Sequence, residues 1–351
     1  MDKPNESIKI LNLFHHPVFL VKDGIIADRN HAAAQWQIPL DVSVSEFMDE
    51  GNEAYETYTG GYLTLGITLA GIPHMAVVIR TELGDLFHIQ EGIDAEFRTM
   101  ALISQKLRQP LSDLMNSAVN LLPDSVIQTN PDLKQKAGQI NRSLYQLLRE
   151  VSNLSIGTLS GNLQLYNVTA LFYEIADKVS SIELLQGKRI TCEAPQEDLF
   201  ALINPDLLER AIYNMISNAL KFAPADSAVS AKLESSDKRI SLSVQNQCLP
   251  GSDSDGPFFR YLREPGIEDG RQGIGLGLAL VQKAALVHSG CLLMDHPAQD
   301  IARFTLTFPI RQTQPTEVSS PILGFDYLGG RDHTLVELSD VLPASAYTEI
   351  D

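Results

Sequence analysis

From Gly273 to Gly277 the chain sets a glycine at every second position, Gly273-Ile274-Gly275-Leu276-Gly277, and runs straight on through Leu278-Ala279-Leu280-Val281-Gln282 toward His288-Ser289-Gly290. A backbone so free of Cβ atoms can take positive φ and approach an anion closely. The helix that follows offers unpaired N–H donors and the positive end of its dipole to a phosphate. A second string, Asn214-Met215-Ile216-Ser217-Asn218-Ala219-Leu220-Lys221-Phe222, lies within an apolar helical pattern. There Leu207, Leu208, Ala211, Ile212, Met215, Ile216 and Ala219 face a core, which places Asn214, Asn218 and Lys221 on a neighbouring face, the two asparagines one turn apart. Asn204 is placed to cap this helix, with Pro205 in its first turn.

Together the two strings resemble the N box and the glycine-rich box of the ATP-binding domain of sensor histidine kinases, a fold shared with gyrase-type ATPases and Hsp90. The resemblance implies an ATP site with Mg²⁺. Asn218 matches the magnesium-coordinating asparagine, a neutral oxygen ligand of the kind a hard cation accepts. Lys221 would meet phosphate as a point charge, Asn214 stands where hydrolytic relatives carry a glutamate base, and Gly273, Gly275 and Gly277 form the phosphate loop. At the adenine end the family's DxGxG motif has its counterpart in Val244-Gln245-Asn246-Gln247-Cys248-Leu249-Pro250-Gly251, with both glycines gone. Asn246 keeps one carbonyl oxygen to accept from the adenine amino group. The acidic run Ser252-Asp253-Ser254-Asp255, followed by Phe258-Phe259-Arg260, resembles the ATP lid and F box. Arg260, Arg263 and Arg271, taken singly, read as surface charge sooner than as phosphate ligands.

Upstream, Ile103-Ser104-Gln105-Lys106-Leu107-Arg108-Gln109-Pro110-Leu111 is similar to the family's phosphoacceptor box SHELRTPL, with Gln105 in the histidine's place. An imidazole ring nitrogen can take a phosphoryl group, whereas an amide nitrogen has its lone pair tied up in resonance. Lys106 replaces the acidic residue that follows the histidine, so charge is inverted there too. Gln109 holds the position from which phosphatase members of the family align a water on the regulator's aspartyl phosphate, a task that an amide performs.

Composition bounds the remainder. With 351 residues, 44% of them hydrophobic, the chain can bury two to three domain cores. A net charge of −17 argues against nucleic acid or anionic membrane as partner. No apolar run is long enough for a membrane span, and the start MDKPNESIKI lacks the features of a signal peptide, so a cytoplasmic protein is expected. Cys192, Cys248 and Cys291 are odd in number, two of them in apolar strand-like segments, and read as buried reduced thiols rather than a disulfide or a zinc set.

The expected fold class is α+β in several domains. Residues 8–91 alternate short strands with turns, opening on a hairpin at Asp23-Gly24 and a helix near Asn30–Trp36, then strands near 61–69, 73–81 and 85–90, a layout that resembles a PAS sensor. His15, His16, His74 and His88 lie there without any metal-ligand spacing, and Trp36 reads as core before pocket lining. Residues 94–157 have helical period, with stripes Ile103, Leu107, Leu111, Leu114, Ala118, Leu121 and Leu133, Ala137, Ile140, Leu144, Leu147, Val151, Leu154 about a turn near Pro123 and Pro131. Such a hairpin is best covered by a second copy, giving a homodimeric four-helix bundle, as in the family's dimerisation domain. Residues 160–310 form the α/β sandwich ATP-binding domain, with His288 in a structural role, and 311–351 a polar tail with a short amphipathic segment at 334–342. The whole implies a histidine-kinase-like protein, a pseudokinase acting on a response regulator or on a kinase with an intact histidine. The alternative is an active kinase or a regulator phosphatase.

Overall fold

The computed structural model describes residues 10–48, 51–90, 93–119, 130–155, 162–182, 187–248, 276–311 and 331–348, without the side chains of 93–100 and 119. Gly273, Gly275, the acidic run with its F box, and Arg260, Arg263 and Arg271 lie outside the described residues.

The first unit opens with β1 (Val18–Lys22) and β2 (Ile25–Arg29), joined where Asp23 and Gly24 both take positive φ, 50° and 77°. That is the two-residue turn which matches strand twist, and only Gly adopts it without steric cost. Asn30 then caps α1 (His31–Gln35) and is itself buried with every group engaged. Its Oδ1 accepts from Ala33 N (2.8 Å) and Val18 N (3.0 Å), while Nδ2 donates to the carbonyls of Phe14 and His16. A short α2 (Asn52–Thr57) leads to β3 (Tyr62–Leu69), β4 (Ile72–Thr81) and β5 (Gly84–Gln90), and the strands line up as β2-β1-β5-β4-β3. Phe19 and Phe87 stack at 4.9 Å between ring centroids at the centre of the core. Trp36 is half-buried against this core, its ring 4.7 Å from that of His74.

Helices α3 (Ile93–Val119) and α4 (Pro131–Asn153) form the expected hairpin, α4 being capped by Asn130. The apolar stripes divide differently from the periodicity. Ala101, Ser104, Leu111 and Met115 of α3 and Tyr145, Leu148 and Val151 of α4 are buried, whereas Ile103, Leu107, Leu114, Ile140 and Leu147 are exposed. Each helix therefore has two apolar edges. One is spent on the body of this chain, where Ser104 Oγ donates to Val151 O at 2.6 Å. A single stripe read at helical spacing merges the two edges.

The second unit comprises β6 (Gln164–Asn167), α5 (Val168–Ser180), β7 (Arg189–Glu193), β8 (Phe200–Ile203), α6 (Pro205–Phe222), β9 (Ala228–Ser235), β10 (Arg239–Gln247), α7 (Leu276–Val287), β11 (Cys291–Ala298) and β12 (Ile301–Pro309). Its sheet runs β11-β12-β10-β9-β7, with β7 parallel to β9 and the other pairs antiparallel, and β6 pairs with β8 apart from it. Along β10, Ile240, Leu242, Val244 and Asn246 are buried, alternating with half-buried Ser241, Ser243 and Gln245. One face thus packs on helices and the other is polar, as antiparallel sheets allow.

Two features go beyond the expectation of several domains followed by a polar tail with a short amphipathic segment. Strand β3 pairs antiparallel with β11, matching Thr64 to Leu292 and Tyr62 to Met294, so both units share one ten-stranded sheet. Edge strands carry unpaired N–H and C=O groups, and here two such edges satisfy one another. In addition, residues 331–348 fold into α8 (His333–Glu337) and a closing turn that dock between α4 and α6, burying Val336, Leu338, Leu342 and Tyr347 completely. None of the three cysteines is in a disulfide and only Cys291 is buried; Cys192 and Cys248 are half-exposed, because each lies near the edge or end of the sheet.

Candidate nucleotide site

The site grows from the start of α6. Asn204 Oδ1 accepts from Leu207 N at 3.0 Å, and Pro205 takes a first-turn place where no N–H is required. The Asn204 backbone N–H donates to Nε2 of His288, 3.0 Å away just past the end of α7. Burial pushes the His288 imidazole down to about 4, so it stays neutral and can accept that bond. This structural histidine ties α7 to the start of α6.

Asn214, Asn218 and Lys221 occupy successive turns of α6, Asn218 half-buried. Asn214, expected on the face beside the core-facing stripe, is wholly buried. Its Oδ1 accepts from Arg149 Nη2 (3.0 Å) and its Nδ2 donates to Arg210 O (2.8 Å). Against it lies Gly277, on which a Cβ would stand 2.6 Å from Asn214 Oδ1. The third glycine of the box therefore lets α7 close onto α6. Asn246, at the end of β10, is buried on the face that packs against α6, its Nδ2 donating to Gln247 O at 2.7 Å.

Sequence reasoning missed the charges that meet this helix. Arg149 of α4 and Arg210 of α6 are buried, and both pair with Glu337 of α8, at 3.4 Å and 3.6 Å. Asp340 takes Arg149 Nη1 at 2.8 Å and lies 3.9 Å from Lys221 Nζ. Arg210 Nη2 also donates to Asn153 Oδ1 at 3.2 Å. The only signal in the sequence was acidic residues in an amphipathic tail, and nothing local says what they meet.

Gln105 and Gln109 are both exposed on α3. Gln109 Nε2 donates to Asp113 Oδ1 at 3.0 Å, which leaves the amide oxygen as the group turned to other partners. On the same helix, burial and the nearby Arg210 hold the Arg108 guanidinium below its ordinary value, so the phosphoacceptor-like segment lies beside α6.

Residues 203–312 match the family model of histidine kinase-, DNA gyrase B- and HSP90-like ATPases. This region therefore carries a histidine kinase-type ATPase domain, and the chain is similar to sensor histidine kinases. Hybrid signal transduction histidine kinase D of Dictyostelium discoideum is 28% identical over 243 residues, covering 65% of this chain and 16% of its own length. Sensor protein KdpD of Clostridium acetobutylicum is 27% identical over 218 residues, 59% of this chain and 24% of its own. Sensor histidine kinase CusS of Escherichia coli O157:H7 is 23% identical over 235 residues, 65% and 47% respectively. The match thus spans less than half the length of each of these relatives. Among solved structures, full-length ShkA in complex with AMPPNP covers 62% of this chain and 47% of its own at 20% identity and a TM-score of 0.47.

Among the described residues no group of three His, Cys, Asp or Glu side chains can cage a metal ion, and no helix is long and apolar enough to cross a membrane. A cation at Asn218 would have to share its oxygens with phosphates, which is how Mg²⁺ is usually held. The residues present fit a Mg·nucleotide: Asn218 would offer one half-exposed carboxamide oxygen to the cation, and Lys221, one turn on, a positive charge to a phosphate.

Proposed function

We propose that this chain binds Mg·ATP on α6 and regulates a two-component partner without phosphorylating a histidine of its own. The observation that carries this reading is the pairing of a kept nucleotide helix, Asn214, Asn218 and Lys221 against Gly277, with Gln105 at the phosphoacceptor position of α3. Asn218 would hold the Mg²⁺, Lys221 a phosphate, and Asn246 the adenine edge, with Gly273 and Gly275 completing the phosphate loop. The bound nucleotide supplies charge and a phosphoryl donor. The chain's own residues orient it, and no nucleophile of imidazole type stands at position 105 to receive the group.

The strand order β2-β1-β5-β4-β3, with its opening hairpin and helix, supports assigning the first unit as a PAS-type sensor. The exposed edge Ile103, Leu107 and Leu114 of α3 with Ile140 and Leu147 of α4 supports a homodimeric bundle. Such a bundle also offers the docking face for a response regulator or for a kinase with its histidine intact. A second reading, regulator phosphatase, is favoured by the exposure of Gln109 and the commitment of its amide nitrogen to Asp113, which leaves an oxygen to accept from a water.

Incubation with labelled ATP and Mg²⁺ should leave no acid-labile, base-stable label on the chain; such label would overturn the pseudokinase reading. In titration calorimetry, Asn218→Ala should abolish Mg²⁺-dependent nucleotide binding. Unchanged affinity would mean that the site is not used in this way.

A further inference from the structure

We infer that the C-terminal segment Asp332–Tyr347 is a built-in anion for a phosphate seat made of Arg149, Arg210 and Lys221, and that Mg·nucleotide and this segment compete for that seat. The inference rests on the nucleotide reading above and adds to it Arg149, a phosphate ligand contributed by the helical hairpin.

The argument is one of charge. Arg149 and Arg210, their side chains only 6% and 2% exposed, lie against Asn214, and Lys221 faces Asp340, which also pairs with Arg149. Arg108 adds a fourth nearby positive charge. Guanidinium groups so far out of water require anions close by. Glu150 does not serve them: its Oε2 is buried without a hydrogen-bond partner among the described residues. The anions in contact are Glu337, whose side chain is 0% exposed, and Asp340. Both come from beyond residue 312, outside the region that matches the ATPase family, whereas Arg210 and Lys221 lie inside it. Lys221 is the residue expected to meet phosphate, and the carboxylate that faces it is Asp340, 3.9 Å away. A segment from outside the nucleotide domain therefore places its carboxylates where this domain's helix presents its phosphate-binding charge.

Besides its buried Val336, Leu338, Leu342 and Tyr347, polar contacts hold the segment in place. Arg142 Nε and Nη2 donate to the carbonyls of Ser339 and Asp340, Asn141 donates to Tyr347 O, and Tyr213 OH meets Thr334 Oγ1 at 2.7 Å. Its last turn lies directly on Gly138 of α4, where an added Cβ would strike the Ala344 carbonyl oxygen and come within 2.8 Å of Thr348 Cγ2. Gly138→Ala accordingly pushes the segment off at a point remote from the cations. It keeps the helix, since Ala is the better helix former.

The test uses the full chain with Mg·AMPPNP, followed by titration calorimetry and by hydrogen exchange of residues 331–348. Asp340→Asn and Gly138→Ala should each raise affinity about tenfold or more over the unaltered chain. Adding Arg149→Gln to Gly138→Ala should remove that gain, and saturating ligand should speed exchange of the segment in the unaltered chain. Two folded variants with faster exchange of the segment but unchanged affinity would overturn competition and leave nucleotide binding standing. If no form binds AMPPNP, inorganic tripolyphosphate decides. Capture by Gly138→Ala, but not by the unaltered chain, keeps the seat and removes the nucleotide reading; capture by neither overturns the seat as well.

Discussion

Acidification should weaken the tie between α6 and α7 in a way that one substitution can isolate. His288 is 2% exposed, its ring 5.9 Å from that of Phe308. Nε2 accepts from Asn204 N, and Nδ1 is buried without a hydrogen-bond partner among the described residues. Burial is the main cause that brings its value from the ordinary 6.5 down to about 4. The unfolded chain therefore takes up the proton first. Stability from this group is fully present above about pH 6.5 and is lost as pH falls toward 4, because in that window the unfolded state binds more protons. Two and a half units at 1.36 kcal/mol each give about 3 kcal/mol in all, of which about 2 kcal/mol should be lost between pH 7 and pH 4.5. His288→Gln keeps an oxygen acceptor for Asn204 N–H and cannot titrate. Urea unfolding followed by circular dichroism at the two pH values should show a shallower loss in the variant, by about that 2 kcal/mol. Equal losses in both proteins would refute the claim that His288 is held neutral by burial.

Other outcomes follow from individual contacts. Gly277→Ala should displace the Asn214 amide that its Cβ would meet and lower stability by about 1–3 kcal/mol, read as a fall in urea midpoint. Leu107→Glu with Ile140→Glu should convert a dimer to a monomer in sedimentation without loss of helix, since both side chains are exposed in the single chain. With a phosphorylated regulator, any acceleration of phosphate loss should disappear in Gln109→Ala; equal acceleration by that variant would remove the phosphatase reading. His88, also pushed down to about 4 by burial and then by His16, should contribute its own acid lability, and it is the fluorescence of Trp36 in the same unit that reports it.

Most strands and helices of both units were legible because their signals are local. The apolar run Val18–Val21, the alternation in Arg239–Gln247, an Asp-Gly turn, and Asn-Pro at the start of α6 act within a few residues of themselves. The helix α6 was legible for the same reason. The depth of Asn214 was not, since a lone asparagine in a helix is solvated unless something distant covers it. Nor could periodicity divide the hairpin's apolar residues between Leu111 and Tyr145, which face inward, and Leu107 and Ile140, which do not.

By itself the sequence determined the two α/β units and the pair of helices between them, and it set out the residues proposed for phosphate and the Gln105 in a segment similar to the phosphoacceptor box. Only the tertiary structure decided that β3 joins β11 in one sheet and that Glu337 and Asp340 come to rest on Arg149, Arg210 and Lys221. The reason is physical. A strand edge and a charged side chain carry general affinities, for any backbone and for any opposite charge, and the partner each one finds is set by what the remainder of the fold brings within reach and removes from water.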